Sequence, residues 1–209
     1  MKQLILPSIM SKSQEELEAD LKKLKGVVKE IHLDVVDGLF APNDALDFNF
    51  KLPAGFKYNM HLMVKKPEIW IKKRWKESDL FIPQLEEIKD VLAYIKWMRK
   101  GGKKVAFALK PETSVSKIKP YLMDCDYVLV LTVHPGFYGS KFLPSALKKI
   151  NLIKKVNPKI KVIVDGGMKP ETIGLAARAG ADLFVSGNFV TKAEKPKERI
   201  KELLRSLRR

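Results

Sequence analysis

Apolar, β-branched runs alternate with helical patterns about eight times along this chain, and that alternation limits its fold more than any other feature. The runs fall at residues 3–9, 27–36, 57–64, 80–85, 105–109, 127–133, 162–165 and 183–185. Short runs of this kind, bounded by turn residues, read as buried strands. The stretches between them carry helix signals. Ser13 with Glu16 three residues on forms a capping box for a helix to about Gly26. Pro67 opens a helix that runs through Ser78. Ile88, Val91, Leu92 and Ile95 keep helical spacing up to Gly101-Gly102. A helix is expected from Thr113 through Met123, and others over residues 144–156 and 171–180. Ile200, Leu203, Leu204 and Leu207 share one face of the last. Residues 39–53 carry Pro42, Asn43, Asp44 and Asp47 without a helical period, and read as a working loop. The whole pattern is that of a parallel barrel; an open parallel sheet shares the count. A length of 209 residues suits one α/β domain, residues 1–209, with a full core.

In a parallel barrel, chemistry sits at the C-terminal ends of the strands. Several of those ends are polar here. Side chains two apart on a strand share a face, so His32 and Asp34 point together while Ile31, Leu33 and Val35 point the other way. Asn59, His61 and Met63 share a face in the same manner. The run Val162-Ile163-Val164-Asp165-Gly166-Gly167 delivers one carboxylate to a strand tip, followed by backbone without side chains. His32, Asp34, His61 and Asp165 would converge near the barrel axis. Two imidazoles and two carboxylates suit one divalent transition metal ion. A polar layer, each imidazole bonded to a neighbouring carboxylate, fits the same spacing. Of three histidines, the two in strands would be costly if unpaired, whereas His134 lies on a loop and reads as a rim residue. Glycine turns follow the last three strands: Gly136-Phe137-Tyr138-Gly139, Gly166-Gly167 and Gly187-Asn188. Barrels commonly bind phosphate after the seventh and eighth strands, through backbone N–H groups.

The formal net charge of +16, from 40 basic and 24 acidic residues, raises the question of nucleic acid. The lysines are scattered over helix faces without interleaved aromatics, so no nucleic-acid partner is expected. No apolar run approaches the length of a membrane span, and the first residues are too soon interrupted for a secretory signal. The single cysteine, Cys125, lies between Asp124 and Asp126 and reads as a structural thiol. A cytoplasmic location is the default expectation.

Several motifs, in order, resemble the ribulose-phosphate 3-epimerase family over nearly the whole chain. They are Leu6-Pro7-Ser8-Ile9-Met10; His32-Leu33-Asp34-Val35-Val36-Asp37-Gly38 with Phe40 and Pro42-Asn43; His61-Leu62-Met63-Val64; Ala108-Leu109-Lys110-Pro111-Glu112-Thr113; Pro135-Gly136-Phe137-Tyr138-Gly139-Ser140-Lys141-Phe142; and Val164-Asp165-Gly166-Gly167. The resemblance implies a single (β/α)8 TIM barrel of the phosphate-binding type. It matches His32, Asp34, His61 and Asp165 to ligands of one divalent metal ion (Zn, Fe, Mn or Co). Asp34 and Asp165 match the acid/base pair, and Ser8 and His61 match substrate contacts. Gly136, Phe137, Tyr138, Gly139, Gly166, Gly167, Gly187 and Asn188 match the phosphate side. The implied reaction interconverts D-ribulose 5-phosphate and D-xylulose 5-phosphate through an enediolate. A hexulose-phosphate 3-epimerase, or a lyase or decarboxylase on the same barrel, is the alternative enzyme; a non-catalytic basic binding protein is the alternative from another class. A homo-oligomer is left open. The chain departs from the family's habit at Val36 and Leu131, where Met is usual, at Asn188, where Ser is usual, after Asn43, where a Gly is usual, and at Ile82-Pro83-Gln84, where the strand usually holds a His.

Overall fold

Period-two burial along the strands explains how the sheet curls onto itself. The computed structural model describes residues 4–136 and 139–207. Its strands are β1 (Ile5–Ile9), β2 (Glu30–Asp37), β3 (Asp44–Ala45), β4 (Lys57–Met63), β5 (Leu80–Pro83), β6 (Ala106–Leu109), β7 (Tyr127–Leu131), β8 (Lys161–Asp165) and β9 (Leu183–Ser186). Eight are parallel, in the order β5-β4-β2-β1-β9-β8-β7-β6, and the short β3 pairs antiparallel with the end of β2. A parallel bridge between Gln84, just past β5, and Ala108 of β6 joins the two ends of that row. The sheet therefore closes as a (β/α)8 barrel, as the alternation predicts.

Six of the eight parallel strands feed two apolar layers; β2 and β4 feed the outer one without adding to the one that fills the barrel. Leu6, Ile82, Ala108, Leu129, Ile163 and Val185 belong to the cluster that fills the barrel. Ile5, Ile31, Leu33, Met60, Val162 and Val164 belong to the cluster between barrel and helices. A strand buried on both faces cannot show a clean polar alternation. Its few polar residues stand out for that reason.

The helices α1 (Gln14–Leu24), α2 (Pro67–Arg74), α3 (Val91–Lys100), α4 (Lys148–Val156), α5 (Pro170–Arg178), α6 (Asn188–Thr191) and α7 (Pro196–Ser206) cover the outside. Leu17, Leu21 and Leu24 of α1 are buried at helical spacing, each contributing about 1.5–3 kcal/mol. Ser13 Oγ accepts from the Glu16 N–H at 3.3 Å, as a cap should. The Glu16 carboxylate accepts from the Lys12 N–H instead of the Ser13 N–H, so the expected box is shifted by one residue.

Several helices differ from expectation; that over 144–156 opens with a 3-10 turn, Pro144–Leu147, and that expected from Ile88 begins at Val91. The second helix ends at Arg74, short of Ser78. Beyond it Trp75 stacks on Trp97 at 5.2 Å and on Phe81 at 6.4 Å, and the Ser78 hydroxyl donates to the carbonyls of Tyr58 and Leu80. These contacts replace a further helical turn. Between β6 and β7 the expected helix is two 3-10 turns, Val115–Lys117 and Lys119–Tyr121. Pro120 explains this: it has no N–H to donate, and its ring would strike the carbonyl four residues back. No helix among the described residues is long and apolar enough to cross a membrane.

Candidate active site

Strand register assembles the polar residues. Asp34 of β2 is paired with His61 of β4, and Ser8 of β1 with His32 of β2. On the other side of the mouth, Asp165 closes β8 between Leu131 of β7 and Val185 of β9. One ligand atom from each of His32, Asp34, His61 and Asp165 lies within 4.8 Å of all the others. His61 Nδ1 stands 3.0 Å from Asp34 Oδ1 and 3.3 Å from Asp165 Oδ2. His32 Nε2 is 3.4 Å from Asp34 Oδ1 and 4.0 Å from Asp165 Oδ2. Both imidazoles are fully buried, while the Asp165 side chain keeps 13% of its surface exposed.

Charge is concentrated in this cluster. Burial pushes the Asp34 carboxyl up, but the adjacent His32 and His61 outweigh it and hold the group well below the usual carboxylate range. Burial likewise opposes charge on His61, and the bonds to Asp165 and Asp34 win, raising it to about 9. His32 is different. It is fully buried, yet neither ring nitrogen makes a well-aligned hydrogen bond among the described residues; Nε2 has only the long contact to Asp34 at 3.4 Å. A satisfied polar layer does not leave an imidazole in that state, which costs about 1–3 kcal/mol. Two imidazoles and two carboxylates with one donor unmatched are the donor set a Zn²⁺-like cation takes.

A cavity of about 430 Å³ opens above the imidazoles. Asp34, Asp165 and Ser8 line it, together with Gly136, Gly139, Gly166, Gly167, Gly187 and Asn188. The carboxylates and the glycine turns thus share one space, with His32 and His61 sealed below. Phe137 and Tyr138 lie outside the described residues. His134 is exposed at the rim, its Nδ1 2.8 Å from Glu112 Oε1.

At Gly166 both space and backbone exclude a side chain. Gly166 has φ +109°, and a Cβ on it would come within 2.5 Å of Val133 Cγ2. The turn it begins is tied down by hydroxyls. Thr132 Oγ1 donates to the carbonyls of Asp165 and Gly166, Thr172 Oγ1 to that of Gly167, and Ser186 Oγ to that of Met168. A peptide is planar, so fixing each carbonyl also fixes the direction of the next N–H.

The model of the Ribulose-phosphate 3 epimerase family matches residues 4–191. The chain belongs to that family. Among curated relatives, the ribulose-phosphate 3-epimerase of Candida glabrata is 33% identical over 234 residues, covering 100% of this chain and 94% of the relative. That of Bacillus subtilis is 33% identical, covering 95% of this chain and 97% of the relative. The Methanocaldococcus jannaschii protein of the same name is 32% identical, with 94% and 87% covered. Solved structures agree on the barrel alone. The 3-hexulose-6-phosphate synthase of Salmonella typhimurium superposes with a TM-score of 0.68 at 15% identity, with 98% of each chain covered. A tryptophan synthase α-subunit from Pyrococcus furiosus gives 0.70 at 17% identity, covering 96% of this chain and 97% of that one.

Three supporting residues of this epimerase-family barrel escape a reading of the sequence. Gln84 Nε2 lies 2.8 Å from His61 Nε2. Thr132 anchors the Asp165–Gly166 backbone. Asp37 caps the loop after β2, accepting from the Leu39, Phe40 and Lys65 N–H groups. No periodicity marks the first two. The third shows only the Asp-Gly turn signal.

Proposed function

We propose that this protein epimerises C3 of a ketose phosphate, interconverting D-ribulose 5-phosphate and D-xylulose 5-phosphate. The observation that carries the proposal is the sharing of one cavity by two carboxylates and the glycine turns. Backbone N–H groups at Gly166-Gly167 and Gly187-Asn188 bind the phosphate, where a side chain would crowd it. That contact fixes the sugar with C3 between Asp34 and Asp165. The hydrogen on C3 is acidic because it lies beside a ketone. Asp34 removes a proton from one face, and Asp165 returns one to the other; in the reverse direction the two exchange roles. The Asp34 carboxyl, held below the usual range by His32 and His61, is ionised at neutral pH. His32, Asp34, His61 and Asp165 would hold one divalent cation, Zn²⁺, Fe²⁺, Mn²⁺ or Co²⁺, which when bound supplies positive charge for the oxygens at C2 and C3. Ser8, at the cavity wall, contacts the sugar. Closure of the barrel over both imidazoles keeps water away from their ring nitrogens.

Product analysis tests this reading. The purified protein is incubated with D-ribulose 5-phosphate and with a 3-epimerisable hexulose 6-phosphate, and metal content is measured on the same sample. The pentulose phosphate is expected to turn over faster, and chelation to abolish that turnover. Faster turnover of the hexulose phosphate would move the assignment to its epimerase. Full activity in metal-free protein would remove the cation from the mechanism.

A further inference from the structure

Gln84 is fully buried at the seam where the barrel closes. Its main chain makes the closure through the bridge to Ala108, and on the other side donates its N–H to the Leu62 carbonyl of β4 at 3.3 Å. Its side chain does something else. The amide nitrogen lies 2.8 Å from His61 Nε2, and the amide oxygen is buried without a hydrogen-bond partner among the described residues. A half-turn of the amide exchanges these two atoms with almost no change in shape.

The other ring nitrogen decides which way round is useful. His61 Nδ1 faces Asp34 Oδ1 and Asp165 Oδ2 at 3.0 and 3.3 Å. If Nδ1 offers its lone pair to a cation there, the ring hydrogen must sit on Nε2. An Nε2–H group in this dry environment needs an acceptor, and the Gln84 amide can present one. With the amide nitrogen toward the ring, as it is placed in this structure, Gln84 donates to Nε2 and the hydrogen goes to Nδ1, where it blocks ligation; the half-turn puts the oxygen there instead. The orientation of a single amide therefore separates a ligand imidazole from a salt-bridged one.

We propose that Gln84 is a positioning residue whose amide oxygen accepts the Nε2 hydrogen of His61, holding Nδ1 as a lone-pair donor toward Asp34 and Asp165 and so setting the affinity of the site for a divalent cation. This rests on the metal reading above. It adds a fifth side chain to the site, one that touches neither cation nor sugar.

Zn²⁺ affinity, measured by competition with a chromophoric chelator, tests it in wild type, Gln84→Met and Gln84→Glu. Met keeps the length but has no comparable acceptor, whereas Glu keeps the acceptor. Wild type is expected to bind one Zn²⁺ per chain, Gln84→Met to bind roughly 10–100-fold more weakly, and Gln84→Glu no more weakly than wild type. Thermal unfolding of the metal-free variants checks that each is folded. A second readout survives even if Gln84→Met does not fold. The chain has three histidines, so ¹⁵N-histidine spectra of the Zn²⁺-loaded wild type can resolve each ring. They should show a slowly exchanging hydrogen on His61 Nε2. Equal affinity in all three proteins, losses as large in Glu as in Met, or a His61 protonated on Nδ1 would each overturn the role of Gln84 alone. A wild type that takes up no Zn²⁺, Mn²⁺, Fe²⁺ or Co²⁺ would overturn the metal reading, and this role with it.

Discussion

Gly166 is the residue at which substitution and geometry conflict most directly. Its φ of +109° strains any L side chain, and a Cβ would meet Val133 Cγ2 at 2.5 Å. Gly166→Ala should cost about 1–3 kcal/mol of stability. If the turn holds the phosphate as proposed, it should also raise KM for the phosphorylated ketose more than it lowers kcat, because the Gly166-Gly167 turn is displaced and the carboxylates are less so. Calorimetry and steady-state kinetics read both; an unchanged KM would detach Gly166 from phosphate binding. His61 makes a different prediction. Held at about 9, it carries a proton in the metal-free protein at neutral pH. Cation uptake must displace that proton, so binding at pH 7 should release it, and affinity should rise with pH until about 9 and then level off. Titration calorimetry in buffers of different ionisation enthalpy measures the release. Binding without proton release at pH 7 would contradict the assignment of His61 as a ligand. At Cys125, burial, with Asp124 and Asp126 adding and Arg99 opposing, pushes the thiol up to about 12. Iodoacetamide at pH 8 should therefore modify the native protein far more slowly than the unfolded chain; equal rates would contradict a structural thiol.

At this scale the four metal-type residues were legible, and their supports were not. His32, Asp34, His61 and Asp165 are polar interruptions of apolar runs, and period-two alternation places them on one face. The Gln84 bond to His61 spans 23 residues of sequence, and the Thr132 bonds to Asp165 and Gly166 span 33 and 34. Such partners are set by strand register around a closed ring, which no local pattern encodes.

Among the elements, the strands were easier to read than their connections. A buried strand is announced by its own residues, whereas a helix can be stopped by what it meets. The helix α2 stops where Trp75 stacks and Arg74 turns inward. Arg74 donates to the carbonyls of Phe50 and Phe48 at 2.7 and 3.2 Å, and its guanidinium lies 3.7 Å from the centre of the Phe50 ring. It thereby pins the end of the long loop after β3 against α2. Arg74→Ala should destabilise the protein by about 2 kcal/mol, since buried carbonyls lose their donors. Arg74→Lys should recover little, because an ammonium lacks the planar fork that serves both carbonyls and the ring. Urea midpoints measure this, and a change below about 0.5 kcal/mol in Arg74→Ala would show that the loop is held by other contacts.

For the whole molecule, the curl of the sheet is what brings carboxylates from two separate strands to one cavity. The strands β2 and β8 are separated around the ring by β1 and β9, yet Asp34 and Asp165 reach the same cavity. The central claim is that each serves one face of the sugar. Asn is close to Asp in size and keeps an oxygen, so Asp34→Asn and Asp165→Asn can be compared once metal content is matched. The measurement is deuterium uptake at C3, followed by NMR in D₂O, from each epimer with each variant. Both variants should lose inversion, while each still exchanges the C3 hydrogen of one epimer, Asp34→Asn on one and Asp165→Asn on the other. Near wild-type epimerisation by either variant, or exchange of the same epimer by both, would contradict a division of the two faces between Asp34 and Asp165.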